Sequence, residues 1–409
     1  MVAIRACLLS IFMFKICDSA RILAVVPSPS FSHQIVFHAL LRELSLRGHQ
    51  VTTLTTDIIN DSSLVNLTEI DLKFSYDTLK DYRHEILYSK FPKSVYVMYS
   101  LLIKICEPQL GHPDVQALIK NKDERFDLVI VEVGRWPYVV FAERFQCPLI
   151  TIASMRFPNA IYDLLGNPVH STVYPDFMVA GEASLWRRVY SFIYDAIMGV
   201  YWRTSLMWLS QSIADKHFGT NYSNIGDILK NTSLSLVNTD NVFYDSMPML
   251  PNIIDIGGMP RRISFDPLPE KLQTVLDNAV DGFIYFSLGS NVRSEELSQH
   301  HLDVIVKTFA ELPYLILWKY DGFIEYKPKN VITEKWLPQA SVLNHPNIKL
   351  FITQGGAQSL DEAKDAKVPV IGVPFFGDQK YNVLNMVKRG FGLYVDYNNI
   401  NEDALKALF

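Results

Sequence analysis

Short apolar runs alternate with longer segments of helical spacing along most of the chain. Ile22–Val26 is an apolar run stopped by Pro27, and Pro29 punctuates the loop Ser28–Ser32 that follows. His33–Arg47 then carries Val36, Ala39, Leu40 and Leu44 at helical spacing until Gly48 ends it, and Val51–Thr55 is a β-branched run. Strand, helix, strand in so short a stretch is a βαβ unit, which requires a parallel sheet with helices on its faces. Leu128–Val131 and Leu149–Ile152 read as two more strands of that sheet. A second series begins near Gly282: strand Phe283–Leu288, Gly289-Ser290, a helix from about Glu295, then strands Leu315–Trp318, Lys349–Thr353 and Val370–Val373. Between the two series, Pro260–Pro269 holds three prolines and two arginines and reads as a linker. The expectation is an α/β chain of two facing, doubly wound Rossmann-like domains with parallel sheets.

The amino terminus has the pattern of a signal peptide. Arg5 precedes an apolar stretch Ala6–Phe14, broken by Ser10 and followed by Lys15, with small residues at Cys17, Ser19 and Ala20. A buried first strand or short anchor is the alternative. Four Asn-x-Ser/Thr sequons, at Asn60, Asn66, Asn221 and Asn231, fit secretory entry. The expected division is therefore 1–20 signal peptide, 21–259 first domain, 260–281 linker and 282–409 second domain. Val189–Leu209 is aromatic-rich but interrupted by Asp195 and Arg203, so it reads as a half-buried helix rather than a span. A helix lying on a membrane surface or capping a cleft is the other reading of that segment.

Composition narrows the function classes. Of 409 residues, 49% are hydrophobic and 20% charged, which excludes disorder and small cysteine scaffolds. A net charge of −5 argues against a nucleic-acid binder with a broad basic surface. Once the signal has left with Cys7 and Cys17, Cys106 and Cys147 remain, too few for a metal site; one bridge or a buried free thiol are both open.

Open α/β sheets bind ligands beyond the carboxyl ends of their strands, so chemistry is sought there. After the first strand, His33 sits at the amino end of a helix, where nearby N–H groups favour the neutral imidazole a general base needs. Glu132 ends the strand Leu128–Val131 on the same edge and could orient that imidazole; alone, each residue reads equally as a helix cap. In the second half, Ile352-Thr353-Gln354-Gly355-Gly356-Ala357-Gln358-Ser359 is strand, glycine turn, helix. Its glycines let backbone approach a ligand, and its helix amino end offers N–H groups to phosphate. Gly289-Ser290 repeats the logic, so two cradles point to a diphosphate. No G-x-G-x-x-G, Walker A or H-E-x-x-H pattern occurs, which disfavours nicotinamide-dependent oxidoreduction.

Trp336-Leu337-Pro338-Gln339, Leu343, His345, Phe351-Ile352-Thr353-Gln354-Gly355-Gly356, Ser359, Glu362, Val368-Pro369, Pro374, Gly377-Asp378-Gln379 and Asn382 form one continuous run. This run resembles the signature of the UDP-glycosyltransferases, inverting GT-B enzymes, and looks most like insect members. Pro27, Ser32-His33, Arg47-Gly48-His49, Asn252–Gly258 and Phe283–Ser290 extend the resemblance over nearly the whole chain after the signal. The resemblance implies that Trp336 stacks on uracil and Gln339 binds the nucleoside. It implies that Ser290, Gln354, Gly356 and Ser359 cradle the diphosphate, that Glu362 takes the ribose hydroxyls, and that Asp378 and Gln379 hold the donor sugar. His33 would be the base, with Glu132 where the family usually has aspartate. The donor would be UDP-glucose, preferred, or UDP-glucuronate, with no metal required. The acceptor would be a hydroxyl of a small lipophilic compound, in a pocket supplied by Phe31, Trp136, Tyr138, Trp186, Tyr190 and Trp202. A non-catalytic nucleotide-sugar or lipophile-binding short isoform is the alternative. The resemblance further implies residence in the endoplasmic reticulum lumen, with a membrane anchor in a full-length form that this chain lacks, and a second domain that is incomplete here; it leaves a homodimer open. Three positions depart from the family: Gln354 for its usual histidine, Lys367 for glycine and Glu132 for aspartate.

Overall fold

The computed structural model describes residues 19–409 except 90, 91, 180, 182, 183, 241, 259–266, 291, 293–296, 407 and 408. The signal-peptide reading therefore falls almost wholly outside the described residues, as do most of the proline-rich linker and the predicted helix start at Glu295.

Two parallel sheets carry the chain. The first has seven strands: β1 (Arg21–Val26), β2 (Gln50–Thr55), β3 (Leu67–Asp71), β4 (Leu128–Glu132), β5 (Leu149–Ala153), β6 (Leu234–Val237) and β7 (Ile253–Asp255). The second has six: β8 (Phe283–Ser287), β9 (Leu315–Lys319), β10 (Val331–Glu334), β11 (Ile348–Thr353), β12 (Val370–Gly372) and β13 (Gly392–Tyr394). Their orders are β3-β2-β1-β4-β5-β6-β7 and β10-β9-β8-β11-β12-β13. The direction of winding reverses between β1 and β4 in the first sheet and between β8 and β11 in the second, and crevices form at such switch points. The expected α/β architecture of two Rossmann-like domains is the one observed.

The strands absent from the sequence reading are mostly edge strands. β3 mixes half-buried and exposed positions without regular alternation, and β7 and β13 are three residues long. Such strands carry neither a continuous apolar run nor a usable period. The stretch 260–281, read as linker, contains a helix, Glu270–Asp277. Its Leu272 and Leu276, one turn apart, join the apolar core of the second sheet. Phe177, Phe243 and Tyr244, from the segment 21–259, enter that same core. Polar contacts tighten the seam: Gln358 Nε2 donates to the Ser154 carbonyl at 2.8 Å, and Tyr244 Oη donates to Asn382 Oδ1 at 3.0 Å.

Lys367 caps the helix Ala357–Ala366 in the left-handed region, with φ 59° and ψ 35°. A Cβ there meets the following carbonyl, at a cost of roughly 1–2 kcal/mol, which explains why a glycine is common at such caps. The lysine side chain is exposed. Lys367→Gly is expected to stabilise the fold by about 1 kcal/mol, read as a rise in the denaturation midpoint at unchanged slope.

Candidate active site

His33 and Glu132 meet at the switch point of the first sheet. The helix Phe31–Leu46 starts directly after the β1 exit loop, which places His33 in its first turn. The register Val25↔Val131 sets Glu132 beside the end of β1. Glu132 Oε1 lies 3.3 Å from His33 Nδ1, so the extra methylene relative to aspartate still leaves the carboxylate within reach of the ring. Ser28 donates to the same carboxylate twice, through its hydroxyl to Oε1 and through its N–H to Oε2 at 3.1 Å. Gly134, at φ +82°, makes the turn that brings Arg135 back over this carboxylate. There the guanidinium donates to Ser28 Oγ at 2.6 Å, with Nε 4.0 Å from Glu132 Oε2. Burial pushes the Glu132 carboxyl up, but the His33 hydrogen bond, the Arg135 charge and the Ser28 hydroxyl outweigh it and hold it below the usual range. Glu132 is therefore ionised at neutral pH and accepts from Nδ1–H. That tautomer leaves the Nε2 lone pair of His33 for another proton.

Three supports of this pair escaped the sequence reading. Ser28 and Arg135 could have been sought as the residues just beyond two adjacent strand ends. Gln34 gave no signal: it lies buried in the helix, where Nε2 donates to the carbonyls of Val26 and Ser28 at 2.7 and 2.8 Å. It thereby satisfies the loop's buried acceptors and fixes Ser28.

The second sheet presents its candidates on its own carboxyl edge. Trp336 follows β10 and is 56% exposed. The Lys319 ammonium sits 4.2 Å from its ring centroid, and Phe31 of the opposite domain meets it edge-on at 5.1 Å. Gln339 opens the helix Gln339–Leu343. Its Nε2 donates to Glu362 Oε2 at 2.7 Å and to Ser359 Oγ at 3.1 Å. Residues 20 and 23 positions apart are thus one polar cluster beside Trp336. At the β8–β11 switch, a Cβ on Gly289 (φ +77°) would collide with the Gln354 amide, so the two predicted cradles abut. Ser290 is the next residue, and Gly356 caps the helix Ala357–Ala366. Asp378 caps the helix Gln379–Lys388, and its Oδ2 accepts from Asn382 at 2.6 Å. Burial raises the Asp378 carboxyl, opposed first by the Asn382 hydrogen bond and then by the proximity of His33. Gln379 is buried, with Oε1 accepting from the N–H groups of Phe375 and Phe376 at 2.8 and 3.0 Å. Its side-chain carbonyl thus holds the turn.

The aromatic residues expected to supply an acceptor pocket separate. Trp136, Tyr138 and Trp202 are fully buried in the first core, and Trp186 projects into solvent from the helix Leu185–Tyr201. Large rings remove most apolar area inside a core, so composition alone misplaced them. Phe31 is the member of that group at the cleft. Cys106 and Cys147 are both free thiols. Among the described residues no group of three or more His, Cys, Asp or Glu side chains could hold a metal ion.

Burial pushes the Glu362 carboxyl up to about 7; the Gln339 donor opposes this and Asp361 adds to it. Its protonated form therefore favours the fold, a contribution complete at acid pH and lost as the pH rises through about 7. To accept from ribose hydroxyls, the role the family resemblance implies for it, Glu362 has to be ionised. Affinity for UDP-glucose, measured by calorimetry, is expected to rise as the pH increases through that range and to fall about tenfold per unit well below it. Glu362→Gln is expected to flatten the dependence.

Two parallel α/β domains, with the His33–Glu132 pair at the switch point of one sheet and glycine turns at that of the other, have the GT-B architecture. The profile of the family described as "UDP-glucoronosyl and UDP-glucosyl transferase" matches residues 21–408, and the chain belongs to that family. An ecdysteroid UDP-glucosyltransferase of Mamestra brassicae nuclear polyhedrosis virus is 31% identical over 98% of this chain and 80% of its own length. UDP-glucosyltransferase 2 of Dactylopius coccus is 31% identical over 98% of this chain and 79% of its own. In fold the chain is similar to the glycotransferase of kitacinnamycin, with TM-score 0.62 at 20% identity, covering 96% of this chain and 90% of that one. The protein is thus a glycosyltransferase that uses a UDP-sugar.

Proposed function

We propose that the protein moves glucose from UDP-glucose to a hydroxyl of a small lipophilic acceptor, with inversion to a β-glycoside. The contact between His33 Nδ1 and the ionised Glu132 carries this reading, because it leaves Nε2 as the proton acceptor facing the cleft. His33 Nε2 takes the acceptor's hydroxyl proton as its oxygen forms the bond to the anomeric carbon. The bond from that carbon to the UDP oxygen breaks on the opposite face, and its electrons stay with the diphosphate. Glu132 stabilises the imidazolium so formed. The turns at Gly289-Ser290 and Gln354–Gly356, with Ser359, supply N–H and hydroxyl donors to the leaving diphosphate. Trp336 stacks the uracil on the ring face that Lys319 does not cover, Glu362 accepts from the ribose, and Asp378 with Gln379 holds sugar hydroxyls.

The glucosyl donor is favoured by the names of the insect and viral relatives. The lipophilic acceptor is favoured by the apolar ring of Phe31 at the cleft. Residence in the secretory lumen is part of the same proposal. It is supported by the sequons at Asn60, Asn221 and Asn231, all exposed. Product formation by mass spectrometry, with UDP-glucose, UDP-galactose and UDP-glucuronate against phenolic and steroidal alcohols, tests the reading. Preference for UDP-glucose is expected. UDP-glucose binding without transfer to any acceptor would favour the binding-protein alternative.

A further inference from the structure

Asn382 lies in the helix Gln379–Lys388 and is buried. Its Nδ2 donates to Asp378 Oδ2 at 2.6 Å and to the Gly355 carbonyl at 3.1 Å. Both amide hydrogens are thus used, one on the carboxylate proposed to hold the donor sugar and one on the turn proposed to cradle phosphate. The amide oxygen accepts from Tyr244 Oη at 3.0 Å. An asparagine amide presents an oxygen and a nitrogen of nearly the same size, so its partners decide which way it points. Tyr244 supplies the donor on the oxygen side. Burial, then the charges of Asp361 and Asp378, push its phenol well above the usual range, so the hydroxyl keeps its proton.

Tyr244 comes from the segment 21–259, yet the second sheet's helix fixes it. Its ring lies parallel to that of Tyr381, with 4° between planes and 5.7 Å between centroids, and Phe243 meets it edge-on at 4.6 Å. Arg156, beyond β5, donates from Nη1 to Tyr381 Oη at 3.2 Å, with its guanidinium 5.6 Å from that ring's centroid. Arg389 Nη2 donates to the Tyr244 carbonyl at 3.2 Å. Lys388 Nζ donates to both carboxylate oxygens of Asp245, at 2.9 and 2.8 Å. Ring, main chain and next residue are all held by Gln379–Lys388 and its cap, which leaves the hydroxyl little freedom to quit Asn382.

We propose that Tyr244 is a positioning residue for donor-sugar recognition: its hydroxyl fixes the Asn382 amide, and that amide holds Asp378 in the orientation that receives the sugar hydroxyls. The inference rests on the reading of Asp378 as a sugar-binding group. It makes recognition of the sugar depend on how the segment from Phe243 to Asp245 is seated against the second sheet's core.

Calorimetry of the full chain with UDP-glucose and with UDP, beside thermal melts, tests it. Tyr244→Phe keeps the ring stack and removes the hydroxyl. Its affinity for UDP is expected to stay within about twofold of the parent, because the Gly355 backbone is also packed directly against Val383. Its affinity for UDP-glucose is expected to fall about three- to tenfold, the effect of one hydrogen bond. Asp378→Asn is expected to lower the same ratio of UDP-glucose to UDP affinity, and adding Tyr244→Phe to it is expected to lower that ratio no further. A lowered melt in Tyr244→Phe at the parent ratio marks the hydroxyl as structural and overturns the proposal. So does a double variant whose losses simply add. A parent ratio in Asp378→Asn overturns the reading of Asp378 and this inference with it. A reduced ratio in Asp378→Asn beside a parent ratio in Tyr244→Phe overturns this inference alone.

Discussion

Replacing His33 by alanine is expected to lower turnover about a hundredfold to ten-thousandfold, with UDP binding within about twofold of the parent. The separation of the two readouts follows from the geometry. His33 stands on the lip of the first sheet, whereas the nucleotide candidates stand on the second. Loss of the ring is expected to remove proton transfer and to leave the positions proposed for uracil, ribose and phosphate intact. Glu132→Gln gives the control. The amide keeps the shape but removes the charge that stabilises the imidazolium, and its one oxygen can still accept from the Ser28 N–H. A loss smaller than that of His33→Ala, with an altered pH–rate profile, is expected. Parent-like turnover in His33→Ala would remove His33 as the base.

Trp336→Ala is expected to weaken UDP binding about tenfold to hundredfold, since stacking a base on an aromatic ring contributes roughly 1–3 kcal/mol. Little of this loss should come from unfolding, because the indole is more than half exposed and its neighbours are Lys319 and Phe31 rather than core residues. Calorimetric titration of UDP, beside thermal melts of the two proteins, checks both halves. A melt lowered as far as a core Trp→Ala would lower it, about 3–5 kcal/mol, would mark the ring as structural.

Local chemistry made much of the site legible. Strand ends are visible as apolar runs closed by Pro27, Gly289 or Gly355, and the residue just past each end is a candidate by position alone. His33, Glu132 and the Gln354–Ser359 turn were found in that way, whereas Trp336 follows a strand that the sequence did not reveal, Val331–Glu334, and was marked by the resemblance of its run to the family signature. Gln34, Ser28, Arg135 and Lys319 were not found, because their importance lies in contacts between segments remote in sequence. Aromatic residues were the least legible group. Whether a Trp packs in a core, lines a cleft or faces solvent depends on which helix face the rest of the chain covers. The outward strip on Leu185–Tyr201 has the same apolar content as an inward one; its exposure became visible when Ser191, Tyr194 and Met198 were seen to point inward.

The sequence by itself determined two parallel α/β sheets, their switch-point loops and the chemical types arrayed on them. Periodicity and turn residues act over a few neighbouring positions, and each strand carries its own record of them. Tertiary structure decided which of those loops share a cleft. It alone set Glu132 against His33, Gln339 against Glu362, and Phe31 against Trp336. Those pairings depend on strand order and on how the two sheets face each other, which are properties of the whole packed chain rather than of any local run.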